Sequence, residues 1–198
     1  MLDIIEYGNF KPMGKQKKKK QIILTHTGRN IINYLQSIKY RLNGKYDKIP
    51  NYIIDREGKI LKLLNDSEHT NIFSDKNINR NAIVICLENL GWLEREALKS
   101  SHINWIGDIY NEKVFEKKWR DYFFWHPYTE IQILQAANLC KDLSQKHSIK
   151  KECIGHNTKV NGVEKYEGIV TRSNYDGDLT DVSPAFNFEV FIKMLENE

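Results

Sequence analysis

The sequence predicts a single α/β domain in which a mixed central β-sheet is flanked by helices, with a tryptophan-rich insertion at about residues 91–128. Two kinds of segment alternate. Short apolar runs bounded by polar residues, such as Gln21 to His26 and Ala82 to Leu87, are too short for helices. Other segments, from Asn30 to Leu42 and from Thr129 to His147, carry apolar residues at helical spacing. The length adds a third observation: 198 residues with 40% hydrophobic content bury a sizeable core without disulfides or a metal staple, so one domain over 1–198 is expected.

Residues 1–20 form a basic N-terminal arm, with Lys15 and Lys17 to Lys20 placed just before the first strand. Such a run meets anionic polymers or lipid by screened electrostatics, but the favoured reading is a solvated, partly mobile arm. Gln21 to His26 is a buried strand that puts His26 at its C-terminal end. In the first helix Ile31, Ile32, Leu35, Ile38 and Leu42 share the periodic face, and Asn43-Gly44 supplies the stop. Tyr52 to Ile54 and Ile60 to Leu64 pair as a hairpin around Arg56-Glu57-Gly58. Ala82 to Leu87 is another buried strand, and its period of two puts Cys86 and Glu88 on one face.

The insertion holds Trp92, Trp105, Trp119 and Trp125 without a sustained period; it is expected to cover an edge of the core, with stacking on sugar rings as the alternative. Thr129-x-x-Gln132 has the form of a capping box for a helix presenting Ile133, Ala137, Cys140 and Ser144 on one side. Glu152 to Gly155 is a strand candidate that delivers His156, and Phe188 to Leu195 is a terminal helix after Pro184.

No apolar run approaches the roughly 20 residues of a membrane span. Met1 to Glu6 lacks the basic start and apolar core of a secretory signal, so synthesis in a cytoplasm is expected, with release by a partner if the target lies outside. Cys86, Cys140 and Cys153 are an odd set that fits free thiols. The net charge of +4 is modest.

His26 and His156 each follow a strand, and Asp181 lies in the turn-like stretch Thr180 to Phe186. Two imidazoles, a carboxylate and a water would complete a tetrahedral zinc site with an open position. Spacing alone also leaves them as satisfied polar residues, because no local metal motif fixes the set.

The segment Ile22-Ile23-Leu24-Thr25-His26-Thr27 resembles the first metal-histidine strand of the type 2 N-acetylmuramoyl-L-alanine amidases, a family that includes phage lysozyme-like amidases and peptidoglycan recognition proteins. Tyr52 to Ile60 is similar to the family hairpin, His69 falls where a family histidine lies, and Ala82 to Asn89 resembles the central strand. Ile154-Gly155-His156 is similar to the segment giving the second ligand, and Asp181-Val182-Ser183-Pro184-Ala185-Phe186 to the motif giving the third. The matches cover roughly 20–90 and 128–192, each loose, the ordered set specific. The resemblance implies Zn2+ held by His26, His156 and Asp181, and hydrolysis of the amide between the lactyl group of N-acetylmuramic acid and L-alanine in peptidoglycan.

The departures fall on the catalytic helpers. Many members place glutamate where this chain has Cys86; some phage members use a tyrosine that aligns with Pro50 and a lysine that aligns with Leu179. Glu88, one period along the strand, is the candidate general base, with an ordinary hydrogen-bonded carboxylate as the alternative. The stretch 157–180 is longer than usual and offers Lys159, Lys165, Tyr166, Arg172 and Tyr175 as substitutes. The leading expectation is a monomeric zinc amidase acting as a phage lytic enzyme, with cytoplasmic recycling as another setting. A peptidoglycan-binding module that has lost turnover stands second, and a nucleic-acid partner, resting on the lysines and the insertion, is the weakest.

Overall fold

The computed structural model describes residues 2–8, 10–96, 99 and 101–197; residues 1 and 9 of the N-terminal segment, 97, 98 and 100 of the insertion, and 198 lie outside the described residues. Strands β1 (Ile4–Glu6), β2 (Gly14–Lys15) and β3 (Gln21–His26) lead to helix α1 (Ile31–Tyr40). Then follow β4 (Tyr52–Ile54), β5 (Ile60–Lys62), β6 (Glu68–His69), α2 (Lys76–Asn81) and β7 (Ala82–Leu87). The insertion supplies β8 (Trp92–Arg95), β9 (His102–Ile103), β10 (Ile109–Tyr110), β11 (Phe115–Trp119) and β12 (Tyr122–Trp125). The chain closes with α3 (Glu130–His147), β13 (Gly168–Thr171), α4 (Arg172–Tyr175) and α5 (Phe188–Glu196).

The central sheet has six strands in the order β1-β5-β4-β7-β3-β13, parallel throughout except for the β4–β5 hairpin. Gly58 closes that hairpin with φ of 82°, and a Cβ there would stand 2.6 Å from Ile131, so glycine is required twice over. Because β3 and β7 are covered on both faces, they are nearly continuous apolar runs. Ile22, Leu24, Ile83, Ile85 and Leu87 pack on one side against α3 and α5; Ile53 and Cys86 pack on the other beneath α1. Thr129 and Gln132 make the expected capping box at the start of α3.

Three expectations change. In α1 the buried face is Ile31, Tyr34, Leu35 and Ile38, while Ile32 and Leu42 are 66% and 64% exposed. Ile32 is one residue off the i, i+3, i+4, i+7 stripe, and Leu42 follows the helix in a left-handed conformation that turns it outward. Glu152 to Gly155 is no strand: only Cys153 bridges Ile169, and the sheet edge is built by β13, inside the stretch expected to be loop.

The basic segment is not free. β1 pairs with β5, β2 with β6, and Lys19 is 3% exposed with its ammonium donating to the Arg80 carbonyl at 3.0 Å. Burial pushes the Lys19 amine down to about 8, against the pull of Asp66. Lys15 pairs with Glu68 and Lys20 with Glu167, so much of the positive charge is met within the fold.

The insertion is an antiparallel sheet of five strands in the order β10-β9-β8-β12-β11. Trp125 is fully buried and Trp92 stacks on Tyr122 at 4.4 Å, whereas Trp105 is 53% exposed. Covering is thus the work of most of the tryptophans, and Trp105 differs from them. None of the helices is long and apolar enough to cross a membrane among the described residues. The cysteines are free thiols.

Candidate active site

Strand alternation sends Thr25 and His26 to opposite faces at the end of β3. His26 turns toward α3, where its Nδ1 lies 3.1 Å from the Tyr128 hydroxyl. The Ser183 amide donates to that same hydroxyl at 3.4 Å, so Tyr128 bridges His26 and the closing segment. Gly91 closes the other side: a Cβ on it would stand 3.3 Å from Nε2, and its φ of 81° already favours glycine. Burial holds the imidazole below its ordinary value, with Asp181 opposing and Arg172 reinforcing the shift.

Asp181, 4% exposed, reaches the rim from the closing segment. Its carboxylate accepts from the Thr25 hydroxyl and lies 3.6 Å from Arg172 Nη1. Its carbonyl accepts the Ser173 amide at 2.8 Å, which locks the segment to the short helix α4. Of the 157–180 candidates Arg172 is the one that faces the rim; Tyr175 is spent on Gln21.

His156 does not join them. Its side chain is exposed and its Nδ1 lies 2.9 Å from the Thr158 hydroxyl, while Asn174 donates to its carbonyl at 2.9 Å. Among the described residues no group of three His, Cys, Asp or Glu side chains is placed to hold a metal ion.

Both carboxylate oxygens of Glu88, the expected general base, accept backbone amides. One carboxylate oxygen accepts the Ile31 amide at 2.8 Å, at the start of α1, and the other accepts the Arg56 amide at 3.1 Å, in the β4–β5 turn. Burial raises its carboxyl and these two amides lower it. Glu88 thus ties helix and hairpin to the end of β7. Cys86 lies deeper, 1% exposed beneath Tyr34, and burial pushes its thiol up, so it offers no thiolate. His69 sits away from this rim, on β6 against β2.

A cleft of about 190 Å³ opens beside the rim, bounded by the ends of β3 and α1, the Tyr46 to Pro50 stretch and Arg172. Nearby, the insertion is tied to the start of α1 by Asp108, which accepts from Asn30 Nδ2 at 3.2 Å and Asn33 Nδ2 at 2.9 Å. Trp105 lies against the turn after β3, its indole N–H donating to the Gly28 carbonyl at 2.8 Å and its ring 4.8 Å from the Arg29 guanidinium. From the far end of the insertion Arg120 donates to the Leu179 carbonyl. Sequence spacing gave no sign of Arg120, because it arrives through the second sheet.

The sequence profile of the Amidase_2 family, described as N-acetylmuramoyl-L-alanine amidase, matches residues 15–169. The chain belongs to the Amidase_2 family. Solved structures share the fold. The N-acetylmuramoyl-L-alanine amidase LysC from Clostridium intestinale URNW aligns with a TM-score of 0.60 at 12% identity, over 100% of both chains. AmiD from E. coli, solved in complex with the substrate anhydro-N-acetylmuramic acid-L-Ala-D-gamma-Glu-L-Lys, gives 0.55 at 15% identity over 92% of this chain and 59% of that one. Drosophila peptidoglycan recognition protein SA gives 0.53 at 11% identity, over 96% and 91%. No curated protein sequence matches the chain.

Amidase_2 members are typically zinc-dependent. The donors as placed here do not fit that ion: His26 and Asp181 reach one rim, His26 has Nδ1 taken up by Tyr128, Asp181 is engaged by Thr25 and Arg172, and His156 turns to Thr158.

Proposed function

We propose that the protein is a peptidoglycan amidase that hydrolyses the amide between the lactyl group of N-acetylmuramic acid and L-alanine. The observation that carries this reading is the meeting of β3 with the closing segment, which puts His26 and Asp181 at one rim beside an open cleft, within an Amidase_2 fold. The His156 side chain is exposed and held by Thr158, two residues on. One such exposed hydrogen bond is worth about 1 kcal/mol, so the imidazole is easily turned. Asp181 is the harder residue to free, because Thr25 and Arg172 both hold it.

A second reading, a peptidoglycan-binding module without turnover, is favoured by that grip of Arg172 on Asp181 and by the burial of Cys86 and the capping role of Glu88 at the helper positions. Digesting purified sacculi with the protein, with added zinc or with a chelator, and labelling newly freed L-alanine amino groups separates the two. The hydrolase reading expects release with zinc, none with chelator, and none from His26→Ala. If no metal condition gives release while the protein still sediments with sacculi, the binding module stands instead. The setting we propose is a phage lytic enzyme acting as a monomer and brought to the wall by a partner; lysis from within on co-expression with a membrane-permeabilising protein, and none without it, is the corresponding check.

A further inference from the structure

We infer that helix α4 acts on the rim in two opposed ways: Ser173 and Asn174 fix the backbones of Asp181 and His156, while Arg172 is a latch whose charge competes with a divalent cation for the Asp181 carboxylate. The choice of cation rests on the amidase reading, although the contacts do not.

Consecutive residues of α4 reach two of the donors that the sequence singles out. Ser173 donates its amide to the Asp181 carbonyl at 2.8 Å and its hydroxyl to the same oxygen at 2.5 Å. Asn174 donates from Nδ2 to the His156 carbonyl at 2.9 Å and to the Thr158 carbonyl at 2.8 Å, so it spans the turn that carries His156. Its Oδ1 accepts the Thr171 amide at 2.7 Å, which ties this grip to the end of β13. Both side chains are fully buried, where breaking a satisfied hydrogen bond costs the desolvation of the groups left behind. β13 in turn pairs with β3, the strand that ends at His26. The backbones that carry His26, His156 and Asp181 are thus joined through 168–174.

Arg172, the first residue of the same helix, opposes that order. It lines the cleft together with Thr25 and His26, and its Nη1 stands 3.6 Å from the Asp181 carboxylate, a pairing by charge rather than by a hydrogen bond. A fixed positive charge beside a carboxylate lowers that carboxylate's attraction for a second cation. The other partner of Asp181, the Thr25 hydroxyl, is neutral and turns about a single bond. The Arg172 side chain is 28% exposed and that of Asp181 5%, so the guanidinium has a way out to water and the carboxylate has none. His156 is likewise turned aside by one exposed contact, with Thr158. The misfit to zinc therefore lies in side chains, chiefly Arg172, and not in the backbone that α4 holds.

The probe is zinc chloride alone, titrated calorimetrically into the full-length protein and its variants. Arg172→Gln should bind zinc about tenfold more tightly than the parent, the scale of one interaction with a charged group. Arg172→Lys keeps the charge and should stay near the parent. Ser173→Ala loosens the Asp181 backbone and should bind severalfold more weakly. A merely structural Arg172 predicts the opposite sign for its glutamine variant, since a loosened site holds an ion less well. In the Arg172→Gln background Asp181→Asn should abolish the gain, which puts the ion at this rim. Unchanged or weaker binding by Arg172→Gln, or a gain that survives Asp181→Asn, overturns the latch; an unshifted Ser173→Ala overturns the positioning role. Thermal melting without zinc checks that each variant folds, and Arg172→Met replaces the glutamine variant under the same criteria if that one does not. Zinc affinity needs no turnover, so a failed sacculus digest leaves this inference standing. Conversely, an active amidase whose Arg172→Gln variant gains no affinity would keep the function and lose the latch.

Discussion

The two sheets of this protein solve burial differently. The six-stranded sheet is covered on both faces, and its middle strands β3 and β7 are six residues each, with nearly every side chain buried. The five-stranded sheet of the insertion is built of strands of two to five residues around a small cluster, Leu90, Leu93 and Tyr110, with β11 largely exposed. A region with few buried apolar contacts opens at lower free energy than one with many. The comparison teaches that the candidate site is built on rigid core, while the insertion beside it is a more lightly packed appendage.

All four tryptophans fall in the insertion, so their fluorescence reports on that sheet while far-ultraviolet circular dichroism reports mainly on the rest. In urea the fluorescence transition should precede the dichroism transition; coincident curves would break the comparison. Leu24→Ala, in the fully buried β3, should have the largest effect, lowering global stability by about 3 kcal/mol and moving the dichroism midpoint.

Acid should loosen the joint between the sheets next. His126, 3% exposed, follows β12, donates its amide to Gly91, and has its Nδ1 beside Arg56 at 3.2 Å. Burial and then Arg56 push its imidazole down to about 3. Since the folded value lies below the unfolded one near 6.5, the unfolded chain binds the proton first, and stability is lost as pH falls from about 6.5 toward 3. The loss is up to about 1.4 kcal/mol per pH unit. The fluorescence midpoint should follow it, and His126→Gln should flatten the dependence; an unchanged slope in that variant would remove His126 from the joint.

Glu88→Gln should have the smallest effect, about 1 kcal/mol, because the amide keeps one acceptor and loses the other of two backbone partners. A structural tie predicts a lower melting temperature with turnover per folded molecule intact. Lost turnover at unchanged melting temperature would return Glu88 to the role of general base.

Much of the central sheet was legible in the sequence because two-faced burial forces uninterrupted apolar runs; β3, the hairpin, β7 and the capped α3 all stand where the pattern puts them. The insertion was not, since its strands of two to five residues are shorter than the windows in which alternation shows. β13 was missed for the same reason, its Ile169 and Val170 being the only apolar pair between Gly168 and Thr171. At the candidate site, the sequence neighbours of His26 and Asp181 single them out, and the fold brings both to one rim while leaving His156 exposed beside Thr158. The contacts of Glu88 could not: that it shares a face with Cys86 follows from the period of two, but the return of α1 and the hairpin onto its carboxylate is tertiary. Arg172 was one name among five until the fold chose it.

Asp108 carries a consequence for anyone who would trim or exchange the insertion. It holds the asparagines that open α1, so cutting out 91–128 would take away the anchor of a helix that lies far outside the excised stretch. Chimeras between family members should therefore transplant Asn30 and Asn33 together with the loop that bears Asp108, as one inheritable unit.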